Sequence, residues 1–488
     1  MAAKKLSTEE QAKKVWDSAD DTLKQLDEAH IFQKHVCRQF PAFQEKEIQS
    51  GRLMGKGGFS NVFEVTGIEL THRQQDEDHS DNKEKPASFT TTQARPPLSF
   101  RSASNEEDDA HYDVATAREL MSTRCMRFGS ARYAIKRLRP DLDKLEYARG
   151  ALDLAIEIKF MSVLMHPNIV KMRAVSDTPR LSLDTFLIMD RLYGTLDEKL
   201  ETWIQTSNIL KGCCGMTKDS AAEQELLKER VLVLYDLTVA FSYMHDLSLL
   251  YRDIKPENIG FDIRGDVKIF DFGLMKCLDD HLKPSKNVYG YKLTAFTGSI
   301  PYMAPEIALK EPYSVEADVF SLSMLMWEIL SLEILYPDYS IKDYFFRVCK
   351  MNERPSILGK WPAVLKALVQ EGWDRYPQKR PTMKRMATLL RGLLQDLSSD
   401  DAIVNRTQHM MDKSKRSFHN NIGDPMSASA GTRRRRSGKR GDSQGGGGSV
   451  GDPSLKMSAT SSGGASSCRR VRESLHQYES PDVENGNK

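Results

Sequence analysis

Cysteine is scarce in this chain: seven in 488 residues, at positions 37, 125, 213, 214, 277, 349 and 468, with no C-x-x-C pair and an odd total. That count and spacing argue against a disulfide framework or a zinc motif, and fit reduced thiols in the cytoplasm or nucleus. Long apolar runs are also missing. The two longest windows, Val231–Tyr251 and Ser321–Tyr336, carry Asp236 and Glu328, and read as buried helices rather than membrane spans. There is no excess of one charge: 70 Lys and Arg stand against 68 Asp and Glu, a formal net charge of +2. The whole chain therefore exerts no strong pull on nucleic acid or a membrane surface, and any basic footprint is local. The opening stretch MAAKKLSTEEQAKK has no apolar core of a secretory signal. Ala2 excludes an N-myristoylation motif, and the final Asn-Gly-Asn-Lys is no prenylation box. What remains is ample for a large core, 40% hydrophobic residues, diluted by polar segments to a mean hydropathy of −0.51.

Chemistry concentrates in one stretch. Tyr251-Arg252-Asp253-Ile254-Lys255-Pro256-Glu257-Asn258 is followed, thirteen residues after Asn258, by Asp271-Phe272-Gly273, which ends the strand-like run Val267-Lys268-Ile269-Phe270. A carboxylate to take or orient a hydroxyl, a nearby cation, and two further oxygen ligands are what phosphoryl transfer from a magnesium nucleotide requires. Upstream, Glu47–Val65 reads as strand, glycine turn, strand, with Gly55-Lys56-Gly57-Gly58-Phe59 and then Val62. Tyr133-Ala134-Ile135-Lys136 begins a second apolar strand, and Glu157 sits among apolar residues at helical spacing in Leu154–Met161. A lone carboxylate on such a helix face is costly unless paired, which makes a Lys136–Glu157 ion pair a physical expectation.

In order and spacing these motifs resemble the eukaryotic protein kinase family, whose catalytic loop reads H-R-D-x-x-x-x-N and whose metal-binding turn reads D-F-G. The resemblance covers roughly 300 residues in the sense of a domain-sized match, and implies an α+β, bilobal protein kinase fold: a small β-rich lobe with one key helix and a large, mainly α-helical lobe. It implies ATP and Mg²⁺ as cofactors. Asp253 and Lys255 would be catalytic, and Asn258 and Asp271 would hold the metal. Gly55, Lys56, Gly57, Gly58, Phe59 and Val62 would enclose the phosphates and the adenine face, with Phe59 capping the turn and Ser60 in place of a third glycine. Ala134, Lys136 and Glu157 would line or grip the nucleotide, and Met189, Asp190 and Leu192 would form the back and edge of the adenine pocket. Tyr251 replaces the usual histidine; with Phe272, Met161 and Met172 it would complete an apolar column.

The same resemblance makes 271–306 an activation segment ending in Ala304-Pro305-Glu306, with Arg252 receiving a phosphate from Thr294 or Thr297. Lys255 and Ser299 match a serine/threonine-specific pattern, Asp318 would hold the catalytic-loop backbone, and Glu306 would pair with Arg380. The expected partners are ATP, protein substrates and an upstream kinase, with no membrane. Alternatives are a nucleotide-binding pseudokinase scaffold, or an interaction protein whose basic tail binds polyanions or directs nuclear import.

Residues 1–43 read as a helical extension, starting at Ser7 or Thr8 and either packed on the domain or used for docking. The kinase domain is expected at 44–398. Within it, 71–127 reads as a disordered small-lobe insert that delays Lys136 to 74 residues after Val62, and 208–222 as a second, smaller insert. The segment 399–488 reads as a disordered Ser/Gly/Arg-rich tail; from 401 it has 15 Lys and Arg against 9 Asp and Glu. Its Arg433–Arg436 run, with Lys439 and Arg440, could serve nuclear import or weak nucleic-acid binding. Cytoplasmic and/or nuclear localisation is the expectation.

Overall fold

The computed structural model describes residues 7–35, 37–71, 114–211, 220–284, 289–357 and 359–397. The chain begins with α1 (Thr8–Glu28), set by a reciprocal cap: Ser7 Oγ accepts from the Glu10 amide, and the Ser7 amide donates to Glu10 Oε2. After α2 (His30–Lys34) it enters a mixed small lobe. Its elements are β1 (Ala42–Phe43), β2 (Ile48–Lys56), β3 (Ser60–Ile68), α3 (Val114–Thr123), β4 (Met126–Arg127), β5 (Ser130–Ala131), β6 (Tyr133–Leu138), α4 (Lys144–Met161), β7 (Met172–Ser176) and β8 (Phe186–Asp190).

Six of the strands form one sheet in the order β1-β7-β8-β6-β3-β2, antiparallel except where β1 runs parallel to β7. Its register does the positioning. Val62 on β3 lies opposite Lys136 on β6, and Ala134 lies opposite Met189 on β8. Residues separated by up to 127 positions thus converge on one strand triplet, and alternation places Ala134 and Lys136 on the same face.

The large lobe is helical: α5 (Leu196–Lys211), α6 (Ser220–Asp246), α7 (Pro305–Ala308), α8 (Glu316–Ser331), α9 (Ile341–Asp343), α10 (Ala363–Gly372) and α11 (Met383–Leu397). Short strands β9 (Leu249–Leu250), β10 (Ile259–Phe261), β11 (Val267–Ile269) and β12 (Lys276–Cys277) form two small hairpin-like pairs, β10 with β11 and β9 with β12. From Ala317 to Leu330, every residue of α8 is buried, and Trp327 and Trp373 are core residues. Each large apolar side chain so buried contributes about 1.5–3 kcal/mol.

The expected α+β two-lobed architecture is what forms, but three boundaries differ from the reading of the sequence. The N-terminal extension packs on the domain, one of the two readings left open, but its end is part of the small lobe: helix α1 lies along α4, where Lys159 bonds Asp27 at 2.5 Å and the Phe32 and Phe160 ring centroids are 5.6 Å apart, and β1, before the expected boundary at 44, joins the sheet. The second difference is that residues 114–127 of the expected insert are ordered. Met121 and Cys125 are buried with Phe43, Val65, Ile68 and Tyr133, and Arg118 reaches Glu47 at 2.8 Å while its guanidinium lies over the Phe43 ring. Two apolar anchors in a polar stretch carry no periodicity, so composition alone hides the helix. Thirdly, both described ends of the smaller expected insert are helix, with α5 reaching Lys211 and α6 starting at Ser220. Residues 72–113, 212–219 and 398–488, including Cys213, Cys214, Cys468 and the Arg433–Arg436 run, lie outside the described residues. Among the described residues, no helix is long and apolar enough to cross a membrane.

Glu47 is the polar keystone of the small-lobe edge. It is 1% exposed and accepts from the Gln44 amide, from the Thr71 amide and hydroxyl, and from Arg118. Burial opposes its charge, but the Gln44 and Thr71 bonds and Arg118 outweigh it and hold the carboxyl down at about 2. A depressed carboxyl stabilises the fold above its unfolded value of 4.5, and that contribution is lost as pH falls from there through about 2. Replacing Glu47 by Ala strands Arg118 and the Thr71 amide, and is expected to cost about 3 kcal/mol in urea unfolding at pH 7. The difference from wild type should shrink when the measurement is repeated at pH 3.

Candidate active site

The site lies where the sheet, α4 and the β9–β11 loops meet. Lys136 projects from β6 toward α4, and its Nζ sits 2.6 Å from Glu157 Oε2 and 3.1 Å from Asp271 Oδ1. Glu157 is 2% exposed on a helix started by Asp143, whose carboxylate accepts from the Leu145 and Glu146 amides at 2.8 Å. Burial works against the charge on Lys136, yet the Asp271 and Glu157 carboxylates overcome it and raise the ammonium above its ordinary range. Burial pushes Glu157 up, with Lys136 opposing, while Lys136 and Lys255 hold Asp271 down against its own desolvation.

The loop after β9 carries the second cluster. Asp253 Oδ1 accepts from the Ser299 hydroxyl at 2.8 Å, and Oδ2 meets Lys255 Nζ at 2.7 Å and Asn258 Nδ2 at 2.8 Å. Burial lowers and Asp253 raises the Lys255 ammonium, with a net upward shift. The loop's own backbone is fixed from below. Asp318, 1% exposed at the start of α8, accepts the Tyr251 amide on Oδ2 and the Arg252 amide on Oδ1, both at 2.9 Å, and His245 approaches Oδ2 at 3.0 Å. These bonds hold Arg252 at φ +73°, a conformation that needs outside support in a non-glycine residue. Gly298, at φ +96°, passes so close that a Cβ there would lie 2.1 Å from the Arg252 carbonyl. Only glycine allows the chain bearing Ser299 to reach Asp253.

Tyr251 meets Phe272 edge-on, with ring centroids 5.8 Å apart, and donates its hydroxyl to the Phe270 carbonyl at 2.6 Å. Met161, Met172, Tyr251 and Phe272 are all buried in one apolar cluster, so the tyrosine fits the place expected of it. Glu306 and Arg380 pair at 2.5 and 2.9 Å.

The residues expected to face a nucleotide come from three elements. Gly55 and Lys56 end β2, the Gly57 amide donates to the Ser60 carbonyl at 2.7 Å, and Arg139 Nη1 holds the Gly58 carbonyl at 2.8 Å. Phe59 lies against α4, where a Cβ on Gly150 would come within 2.7 Å of its own and 3.0 Å of Leu138. Met189 pairs with Ala134 of β6, one residue before Asp190 closes the β8 pairing opposite Tyr133. The Asp190 amide donates to the Lys171 carbonyl at 3.0 Å, so an adenine contact at this residue falls to its carbonyl. Leu192 packs over Gly260 of β10, whose missing side chain makes room for it.

Asp271 and Asn258 fit a hard divalent cation. Asp271 is the open member of its cluster, with a side chain 43% exposed, and stands at φ +66°. Asn258 spends its amide nitrogen on Asp253, at 2.8 Å to Oδ2 and 3.0 Å to the carbonyl, which leaves its side-chain oxygen to face a cation.

Reading the sequence missed Asp153. It lies one helical turn before Glu157, and its Cβ would be 3.3 Å from a Cβ on Gly273. Position i−4 on the same helix face was the available signal.

A family model described as protein kinase domain matches residues 123–389, more than half of the chain. The match starts after the glycine turn, which the register of β3 with β6 nonetheless places inside the same sheet. Dual specificity protein kinase shkE of Dictyostelium discoideum is 29% identical over 242 residues, covering 49% of this chain and 30% of that protein. Dual specificity protein kinase shkB of the same organism is 32% identical over 191 residues, 37% of this chain and 28% of the relative. Serine/threonine-protein kinase STY17 of Arabidopsis thaliana is 27% identical over 274 residues, 56% of this chain and 42% of the relative. The matched region is less than half the length of each of these relatives.

Asp153 supplies a pH dependence. Burial first, then the Asp271 and Glu157 charges, raise its carboxyl to about 7, with Lys136 and Arg252 opposing. A raised carboxyl keeps a proton in the folded state that the unfolded chain gives up at 3.8, so stability falls as pH rises from 3.8 to about 7 and then levels. The Asp153→Asn variant is expected to gain more melting temperature over wild type at pH 8 than at pH 5.

Proposed function

We propose, for a chain that belongs to the protein kinase family, transfer of the γ-phosphoryl group of ATP to serine and threonine hydroxyls of protein substrates, switched on by phosphorylation of the 271–306 segment. The family uses ATP and a divalent cation, and Mg²⁺ held by Asp271 and Asn258 would shield phosphate charge. The observation that carries the reading is the Asp253 carboxylate, held between Lys255, Asn258 and Ser299 within 2.7–2.8 Å. A substrate hydroxyl directed by Asp253 attacks the γ-phosphorus, the bond to the β,γ-bridging oxygen breaks, ADP leaves, and Asp253 takes the hydroxyl proton. Lys255 offsets charge on the transferring group, and Lys136, kept cationic by its two carboxylates, grips the remaining phosphates.

Serine/threonine selectivity is supported by the Lys255–Asp253–Ser299 arrangement, whereas relatives named dual specificity supply the competing outcome. Regulation is supported by the surroundings of Thr294. Arg252 Nη1 already donates to Thr294 Oγ1 at 2.8 Å, and Thr297 donates to the same oxygen at 3.1 Å. Lys276 lies beside Arg252, and its ammonium is pushed down by burial and by that neighbouring cation. Two clustered cations with a hydroxyl at their edge favour a phosphate there. An upstream kinase would supply it. The reading of cytoplasmic and/or nuclear localisation draws its support from the thiol usage and from the Arg433–Arg436 run.

Incubation with labelled ATP, Mg²⁺ and a generic protein substrate should give phosphoserine and phosphothreonine on acid hydrolysis, with the Asp253→Asn variant at least about 100-fold slower. Equal incorporation by both proteins would favour a pseudokinase scaffold, and phosphotyrosine would move the reading to dual specificity. Mass spectrometry of active protein should find phosphate on Thr294. Activity at wild-type level in both Thr294→Ala and Thr297→Ala would remove the switch.

A further inference from the structure

His30, Cys277 and Asp279 come together where the N-terminal helices meet the strand that follows the Asp271-Phe272-Gly273 turn. One potential ligand atom of each lies within 4.8 Å of the others. His30 Nδ1 is 2.6 Å from Asp279 Oδ1 and 3.5 Å from Cys277 Sγ. Among the described residues this is the one such group of three. The donors belong to two segments nearly 250 residues apart, so no short spacing in the sequence announces them, and the absence of a C-x-x-C pair was no guide.

We propose that these three side chains bind one zinc ion, which clasps the N-terminal extension to the base of the activation segment. A thiolate, an imidazole nitrogen and a carboxylate are the donor types zinc takes, and the thiolate favours zinc over Mg²⁺. One thiolate and one carboxylate balance its two charges. The donors are also oriented by their surroundings. The Ile31 amide donates to the Cys277 sulfur, the His30 amide donates to Asp279, and β12, which carries Cys277, is paired to β9. Cys277 is 3% exposed, whereas the His30 side chain is 34% exposed, so a water can reach the fourth position from that side.

Without metal the thiol keeps its proton, because burial, and then Asp279, push it up to about 12. Binding breaks the S–H bond, forms the zinc–sulfur bond and releases that proton to solvent, so affinity falls as pH falls. The position gives the ion a mechanical role. His30 opens α2, directly after the helix lying on α4, and Cys277 is four residues beyond Gly273. A metal here ties α2, and through α1 the helix that carries Glu157, to the segment that carries Asp271, outside the phosphoryl-transfer site itself.

The test uses the full chain, stripped with chelator and titrated with Zn²⁺ and with Co²⁺ in excess Mg²⁺, and its readout does not depend on kinase activity. The expected result is one equivalent of Zn²⁺ bound at about 1 µM or tighter, and a thiolate-to-cobalt charge-transfer band in the near ultraviolet. Cys277→Ser should abolish the band, and His30→Ala and Asp279→Asn should each weaken binding at least about 10-fold. Absence of the band in wild type overturns the proposal and leaves a hydrogen-bonded latch. A band that survives Cys277→Ser also overturns it, by placing the metal on other cysteines. The wild-type titration decides even where a variant fails to fold.

Discussion

The ion pair between Lys136 and Glu157 is the constraint on which the site depends. Both charges are almost withdrawn from water, and neither could remain there alone, since an unpaired buried charge costs several kcal/mol. The pair forms only if α4 lies against the sheet at one distance. That same distance brings Asp271 within reach of Lys136 and packs Phe272 against Tyr251. Lobe arrangement, the Asp271-Phe272-Gly273 turn and the Asp253 loop are therefore coupled through one contact rather than separately built.

Around that contact the polar groups are satisfied in layers. Asp318 holds the backbone that presents Asp253, and Glu306 with Arg380 holds the segment that presents Ser299. None of these outer residues touches the reaction centre. Their work is to keep short, irregular chain, including the left-handed Arg252 and Asp271, in a shape it would not hold unaided.

The sequence was most legible where chemistry demands fixed residue types at fixed order. Lys136, Glu157, Asp253, Asn258 and Asp271 are brought together as their motifs imply, and Asp318 and the Glu306–Arg380 pair stand where expected. It was least legible where contact partners are distant and composition is bland. α3 rests on Met121, Cys125 and Arg118 scattered through a polar stretch, and nothing local says that Arg118 answers Glu47. The contact of Phe59 with α4 at Gly150 is another that no local pattern announces. Asp153 was passed over because a polar residue on a helix reads as solvated until the turn beside Gly273 is placed next to it.

The docking of α1 along α4 has a consequence for competition. A helix joined to the same lobe through the thirteen residues between Glu28 and Ala42 faces its binding surface at an effective concentration in the millimolar range. Any other protein seeking the same face of α4 must first outbid an occupant that never diffuses away. Its apparent affinity falls in proportion, and a change that loosens α1 would raise it without altering a single contact of the incoming partner.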